Sequence, residues 1–233
     1  MAATGRKALQ TVTMEQLRQH LGNSRTIRKF ADLHDLVYFG TVTTNDESRL
    51  VKGMTVSKTQ RDEHYCVGTA YGRDMIFVQR TDTLKDTATS SRRKESYTWN
   101  ILAIDLRETV KFPHVVLEGI RHYGPVFTDA FSIKHRELVD IPQHLMNGYD
   151  PLFVQHFHSK TPVIDAATLP TILTPLIAAT LGHHFTAFDV EWREDVVYVY
   201  YVSRQPTKEK LELMLKCGVW LADELEKTQE SVI

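Results

Sequence analysis

Eleven histidines are spread through 233 residues, and four of them fall in two tight groups. "HFH" sets His156 and His158 two apart, and "LGHHF" sets His183 beside His184. Residues two apart on a strand share a face, so His156 and His158 read as two imidazoles pointing one way, a geometry that zinc sites use. Adjacent histidines diverge in an extended chain, so of the second pair one, His183, can join them. His144 and Asp150 are further candidates, but neither stands at a spacing that demands it. The chemistry of such a set is metal-dependent hydrolysis, in which the ion lowers the pKa of a bound water. The competing reading is structural. Just beyond Gly182 an imidazole meets the free carbonyls and negative dipole end of a helix, worth ~0.3–1 kcal/mol when charged. His156 and His158 then form the polar side of a half-buried strand. The sequence favours this second reading, which implies no metal and no other cofactor.

Other reactive groupings are weaker. Ser91 and Lys94 fit a Ser-x-x-Lys spacing, but "SRRKES" reads as an exposed loop without that motif's usual companions. Cys66 lies two residues from His64, and a thiolate–imidazole pair is conceivable. Such pairs draw their members from separate elements, so a buried strand cysteine is the simpler reading. In "VYVYYVSR", Tyr198 and Tyr200 share one strand face. As a platform for single-stranded nucleic acid they would want a basic groove, whereas Asp189, Glu191, Glu194 and Asp195 stand nearby. Walker A, Gly-x-Gly-x-x-Gly, His-Glu-x-x-His, Gly-x-Ser-x-Gly and Cys-x-x-Cys patterns are all missing.

Composition narrows the classes further. An apolar fraction of 42%, a charged fraction of 24% and a net charge of -1 describe a globular chain with no global pull toward nucleic acid or anionic lipid. The basic groups Arg25, Arg28, Lys29 and Arg92, Arg93, Lys94 read as solvated surface. Two distant cysteines, Cys66 and Cys217, fit a reducing compartment. The opening residues lack a signal-peptide core, and no run is apolar enough to span a bilayer. The expectation is a soluble, cytoplasmic protein.

These residues need elements to hold them. "TVTMEQLRQHLGNS" predicts a helix with Met14, Leu17 and Leu21 on one face, capped by Thr13 and stopped at Gly22-Asn23. A second short helix follows from Ser24, with Ile27, Phe30 and Ala31 inward. From Leu36 the period changes to two. Short β-branched and aromatic runs punctuated by Asn45-Asp46 and Gly72-Arg73-Asp74 predict an antiparallel meander. In its "YTWNILAIDL" run, Trp99, Ile101 and Ala103 oppose Leu102, Ile104 and Leu106. The stretch 124–150 is broken by Pro125, Pro142 and Gly148 and predicts only a helical turn near His135 to Leu138. The chain reads as a single domain over 1–233, and a subdomain boundary, if there is one, falls in 124–150. "PLFVQHFHS" reads as a strand. Asp165 caps a helix, Thr174 and Pro175 start another that ends at Gly182, and "FTAFDVEW" with "VVYVYYVS" makes a hairpin. A last amphipathic helix, capped by Thr207, turns Leu211, Leu215, Gly218, Ala222 and Leu225 inward.

The C-terminal half, through Asp165-Ala166-Ala167, Ile172-Leu173-Thr174-Pro175 and "FDVEWREDVVYVYY", with "FPHVVLEG" upstream, resembles an uncharacterised bacterial domain-of-unknown-function family. The resemblance implies a fold and no reaction. Members of that family are often tethered to membranes, and this sequence shows no tether. The combined expectation is an α+β fold: N-terminal helices, an antiparallel meander, then a strand–helix–hairpin–helix unit. Its function is non-catalytic binding of a protein or small ligand, with no nucleic acid. The alternative is the histidine-metal hydrolase built on His156, His158 and His183.

Overall fold

In the run from Trp99 to Ile104, the apolar side chains alternate between two separate clusters. Trp99, Ile101 and Ala103 enter one; Leu102 and Ile104 enter the other. A strand buried on both faces must sit inside a sheet covered twice. The computed structural model, which describes residues 14–40, 56, 60–85, 94–107, 111–119 and 123–230, places it there. Among these residues nine strands form one sheet: β1 Val37–Gly40, β2 Gln60–Ala70, β3 Arg73–Lys85, β4 Lys94–Asp105, β5 Phe112–Gly119, β6 Leu138–Asp140, β7 Phe157–Pro162, β8 Asp189–Glu194 and β9 Val196–Val202. Their order is β1-β2-β3-β4-β9-β8-β5-β7-β6, and every pairing is antiparallel. The meander is therefore β1 to β4, and the β8–β9 hairpin is inserted between it and β5.

Among the described residues six α-helices accompany the sheet: α1 Met14–Leu33, α2 Pro125–Lys134, α3 Pro151–His156, α4 Leu169–Ile172, α5 Pro175–His184 and α6 Lys208–Glu230. The larger cluster joins α1, α3, α4, α5 and α6 to one sheet face. Phe127 and Phe131 of α2 close the other face over Trp99, Tyr198 and Tyr200. The α+β expectation holds, with an antiparallel meander and an N-terminal helix.

Several local expectations change. Gly22-Asn23 does not stop the first helix: α1 is continuous, and Leu21 is 66% exposed instead of inward. Asn23 is buried and works across the fold. Its amide donates to Gln79 (3.1 Å) and to the Arg204 carbonyl (2.6 Å), and Gln79 donates to Asn100 (3.0 Å), which holds the Tyr201 and Ser203 carbonyls. A tertiary hydrogen-bond chain outweighs the weak helix preference of asparagine. Ile27, Phe30 and Ala31 are buried as expected. The stretch 124–150 holds the whole of α2 and the edge strand β6, where the sequence predicts a single turn; Pro125 starts α2 from its first position. Asp165 does not cap a helix: it ends a 3-10 turn, Val163–Asp165, and the helix after it is the four-residue α4, which starts from Thr168. Thr174 caps α5, its hydroxyl accepting from Ile177 N–H at 3.3 Å with Pro175 next, as expected. Gly182, however, lies inside α5. A β-carbon there would stand 2.6 Å from the backbone nitrogen of Phe153, so glycine is what lets α5 cross α3 this closely. In α6 Thr207 caps as expected, and Leu211, Leu215, Ala222 and Leu225 are buried. Expectations for Thr13, for Met14 and Leu17 as inward side chains, for Asn45-Asp46 and for the 91–93 loop lie outside what the structure describes.

Candidate functional site

The histidines that open the sequence argument separate in space. "PLFVQHFHS" is not one strand. Asp150 accepts from Leu152 N–H (2.8 Å) and Pro151 takes the first helical position, so residues Pro151–His156 coil before β7 begins. His156 therefore ends a helix and His158 belongs to a strand, and both side chains are exposed. His183 and His184 form the last turn of α5. His183 meets Asp150 at 3.2 Å, an exposed contact. The Asp150 carboxyl is held below the usual range by the Leu152 N–H first, and then by His183. Among the described residues His156, His158 and His183 do not gather as three ligands.

Neither the cysteine pairing nor the tyrosine platform has the geometry its chemistry needs. Cys66 is fully buried, its thiol directed at the His64 carbonyl (3.7 Å), and burial pushes its pKa up to about 12. That is a packed thiol and not a nucleophile. Tyr198 and Tyr200 are buried in the cluster that α2 closes, so they offer no open stacking surface.

That second face carries much of the buried polarity. The Arg80 guanidinium grips Asp62 through Nε and a terminal nitrogen, each at 2.7 Å, and Tyr65 donates to the same carboxylate (2.9 Å). Tyr200 and His114 hold the two oxygens of Glu191, at 2.5 and 2.8 Å. Tyr123 donates to Asp189, and the backbone N–H of Gly119 holds the other oxygen of that carboxylate (2.7 Å). Each buried charge has partners, which is the condition for keeping it inside.

Two other features among the described residues bear on binding. The first is a bulge in β2, where pairing with β3 slips between Glu63 and Cys66. His64 sits at the slip in the left-handed region (φ 56). Its ring is 1% exposed, Nδ1 lies 2.7 Å from the Tyr38 hydroxyl, and Nε2 has no hydrogen-bond partner. Tyr38 in turn meets Ser24 of α1 at 2.9 Å, and the Arg28 guanidinium lies over its ring. His20 of α1 stacks on His64 with centroids 4.8 Å apart and faces Glu63. Burial, and then the neighbouring His20, lower the His64 pKa to about 4. The sequence argument weighs His64 only against Cys66; its partners come from α1, β1 and the adjacent Glu63.

The second feature is a groove of about 630 Å³ along the outer side of α6. Leu213, Val219, Trp220 and Tyr71 supply its apolar surface, and Glu209, Glu212, Lys216 and Asp223 its charged rim. Trp220 is braced by stacking on Phe185 at 5.5 Å. On its floor side, His34 meets Glu212 at 2.9 Å, and the Tyr71 hydroxyl lies 3.4 Å from the other nitrogen of His34. The amphipathic reading of α6 finds its buried face and passes over this outer one.

No protein-family model matches the chain, and no curated protein matches it in sequence. Among solved structures, the fold is similar to the crystal structure of the mycobacterial trehalose monomycolate transport factor A, TtfA. The two share 13% identity with a TM-score of 0.57, over 88% of this chain and 94% of that one. This likeness is one of fold.

Proposed function

We propose that the chain is a non-catalytic binding module whose groove on α6 takes a small ligand with an apolar body and a cationic end. The observation that carries this is the groove itself. Its volume falls within the ~300–1,000 Å³ of small-molecule sites, and it joins apolar walls to a few charged groups, as such sites do. Three of its four charged residues are acidic. Asp223 and Glu212 also serve Arg73 and His34, and Glu209, exposed at the start of α6 beside its Thr207 cap, adds a third carboxylate to meet a cation. That TtfA is a transport factor agrees with a module that carries or presents a ligand. No residue in this reading makes or breaks a covalent bond.

Of the three tryptophans, Trp99 and Trp192 are fully buried and Trp220 lines the groove. Titrating the protein with dodecylamine and, separately, with dodecanoate below their micelle concentrations should quench or shift Trp220 emission, the amine at lower concentration. Val219→Asp should abolish the response, and Trp220→Phe should remove the signal. An emission change that survives Trp220→Phe, or none with either amphiphile, would refute the assignment of the groove.

A further inference from the structure

We propose that His20, Glu63 and His64 form a binding site for a divalent transition metal of the zinc type. Each offers a ligand atom, and the three atoms lie within 4.8 Å of one another. Around a tetrahedral ion with bonds of ~2.0–2.1 Å, donors stand roughly 3.4 Å apart. His20 is exposed and Glu63 half-buried, so both have room to swing inward over that difference. Two imidazoles and a carboxylate are a donor set suited to zinc, and they leave a position for solvent.

The surroundings of His64 point to a ligand independently of the cluster. Its ring is 1% exposed and its Nε2 is unpartnered. A buried polar nitrogen without a partner costs ~1–3 kcal/mol, and a metal would satisfy it. Tyr38 supplies what lies behind a metal-bound histidine. If Nδ1–H donates to the Tyr38 oxygen and the Tyr38 hydroxyl donates to Ser24, the lone pair is left on Nε2. Glu63 is divided in the same way. Arg61 holds Oε1 at 2.6 Å, and Oε2 faces His20 at 3.9 Å. The bulge in β2 gives the arrangement its local cause, because a two-for-one slip re-aims the side chains at it.

This departs from the sequence expectation of no metal and places the ion away from His156, His158 and His183. It is also independent of the groove reading, since none of the three ligands lines the groove.

The test uses the full, untagged chain, stripped with a chelator and titrated with Zn²⁺ and, in parallel, Mg²⁺. Calorimetry and elemental analysis after desalting should give one zinc per chain, no magnesium, and a raised melting temperature with zinc alone. His20→Ala and Glu63→Gln change residues outside the core and should fold as the parent does by circular dichroism. Each should weaken zinc binding by about tenfold or more, and Tyr38→Phe, acting through His64, by about 10–100-fold. The double change His156→Ala, His158→Ala should leave binding unaltered. Absence of stoichiometric zinc in the parent chain, or zinc retained at full affinity in both His20→Ala and Glu63→Gln, overturns the proposal.

Discussion

Arg73 opens β3 with its side chain fully buried, and α6 closes over it with two carboxylates. Its terminal nitrogens meet Glu226 at 2.6 and 2.7 Å in a two-pronged contact, and Asp223 at 2.7 Å. Glu226 also accepts from the backbone N–H of Arg107 at 2.6 Å. Arg73→Met removes the guanidinium and leaves the Glu226 carboxylate nearly buried with one remaining donor. Breaking a buried pair from one side costs ~3–5 kcal/mol. The Asp223 contact adds little to this, because that side chain is 44% exposed and solvent screens the pair to about 0–1 kcal/mol. Glu226→Gln keeps the shape, but its amide nitrogen cannot accept, so one Arg73 N–H loses its acceptor while the remaining oxygen keeps weaker, neutral bonds, a loss of about 1–3 kcal/mol. The expected order of destabilisation is Arg73→Met, then Glu226→Gln, then Asp223→Asn. Urea unfolding should show it as falling midpoints at constant slope. Acid should show it too. Burial works against the Glu226 charge, but Arg73 and the Arg107 N–H outweigh it and hold its carboxyl below the usual range. The unfolded chain therefore takes up this proton first as pH falls. The contribution is complete above the ordinary glutamate range, near ~4.3, and is lost as pH drops through the lower folded value. Glu226→Gln should lack that component of acid sensitivity. An Arg73→Met variant within about 1 kcal/mol of the parent, or Asp223→Asn costing more than Glu226→Gln, would refute the reasoning.

Three further outcomes follow from packing and capping, all measurable by chemical denaturation. Thr174→Ala should cost ~0.5–2 kcal/mol through the lost cap, while Pro175→Ala should stay within about 1 kcal/mol; the reverse order would move the start of α5. Leu215→Ala should cost ~2–5 kcal/mol, since the side chain is 2% exposed in the core. Glu212→Ala should cost about 1 kcal/mol through its lost contact with His34; equal mildness of both changes would detach α6 from the core. Gly182→Ala should lower stability by ~1–3 kcal/mol, because its β-carbon meets the Phe153 backbone, although an exposed helical glycine would gain up to about 1 kcal/mol from the same change. A stabilised variant would show that α5 and α3 are not held this close.

Patterns that repeat within a few residues were readable. The two-residue alternation of β4 assigns Trp99 and Leu102 to opposite clusters, and that of β9 does the same for Tyr198 and Val199. Thr174-Pro175 marks a helix start by local hydrogen bonding alone. Where a residue's role depends on a distant partner, the local signal misleads. Gly22-Asn23 has the composition of a helix stop, yet Asn23 is held inside α1 by Gln79 and Arg204. Gly182 has the composition of a helix end, yet it marks a crossing. The strand reading of "PLFVQHFHS" is a different error. Asp150-Pro151 is a helix-start signal of the same kind as Thr174-Pro175, and the β-favouring Phe153, Val154 and Phe157 that follow it mask it.

The same distinction governs the site. Histidines close in sequence attract attention because adjacency resembles a ligand spacing, yet His156 and His158 fall on either side of a helix-to-strand junction. Ligands that converge in space commonly come from different elements, and here one comes from α1 and two from a bulge in β2. No periodicity announces a bulge, since it is an interruption of period two. What announces His64 is the structure: a buried ring nitrogen without a partner, beside two further groups that can ligate a metal. Helix α1 connects this site to the groove. His20 lies in its N-terminal half, and His34, just past its last residue, supports Glu212 on the groove's rim. At 1.5 Å per residue the two are roughly 21 Å apart. The buried face between them, Ile27, Phe30 and Ala31, holds α1 on the core without either ligand. Binding at one end thus needs no change at the other, and variants at the two ends test two separate claims.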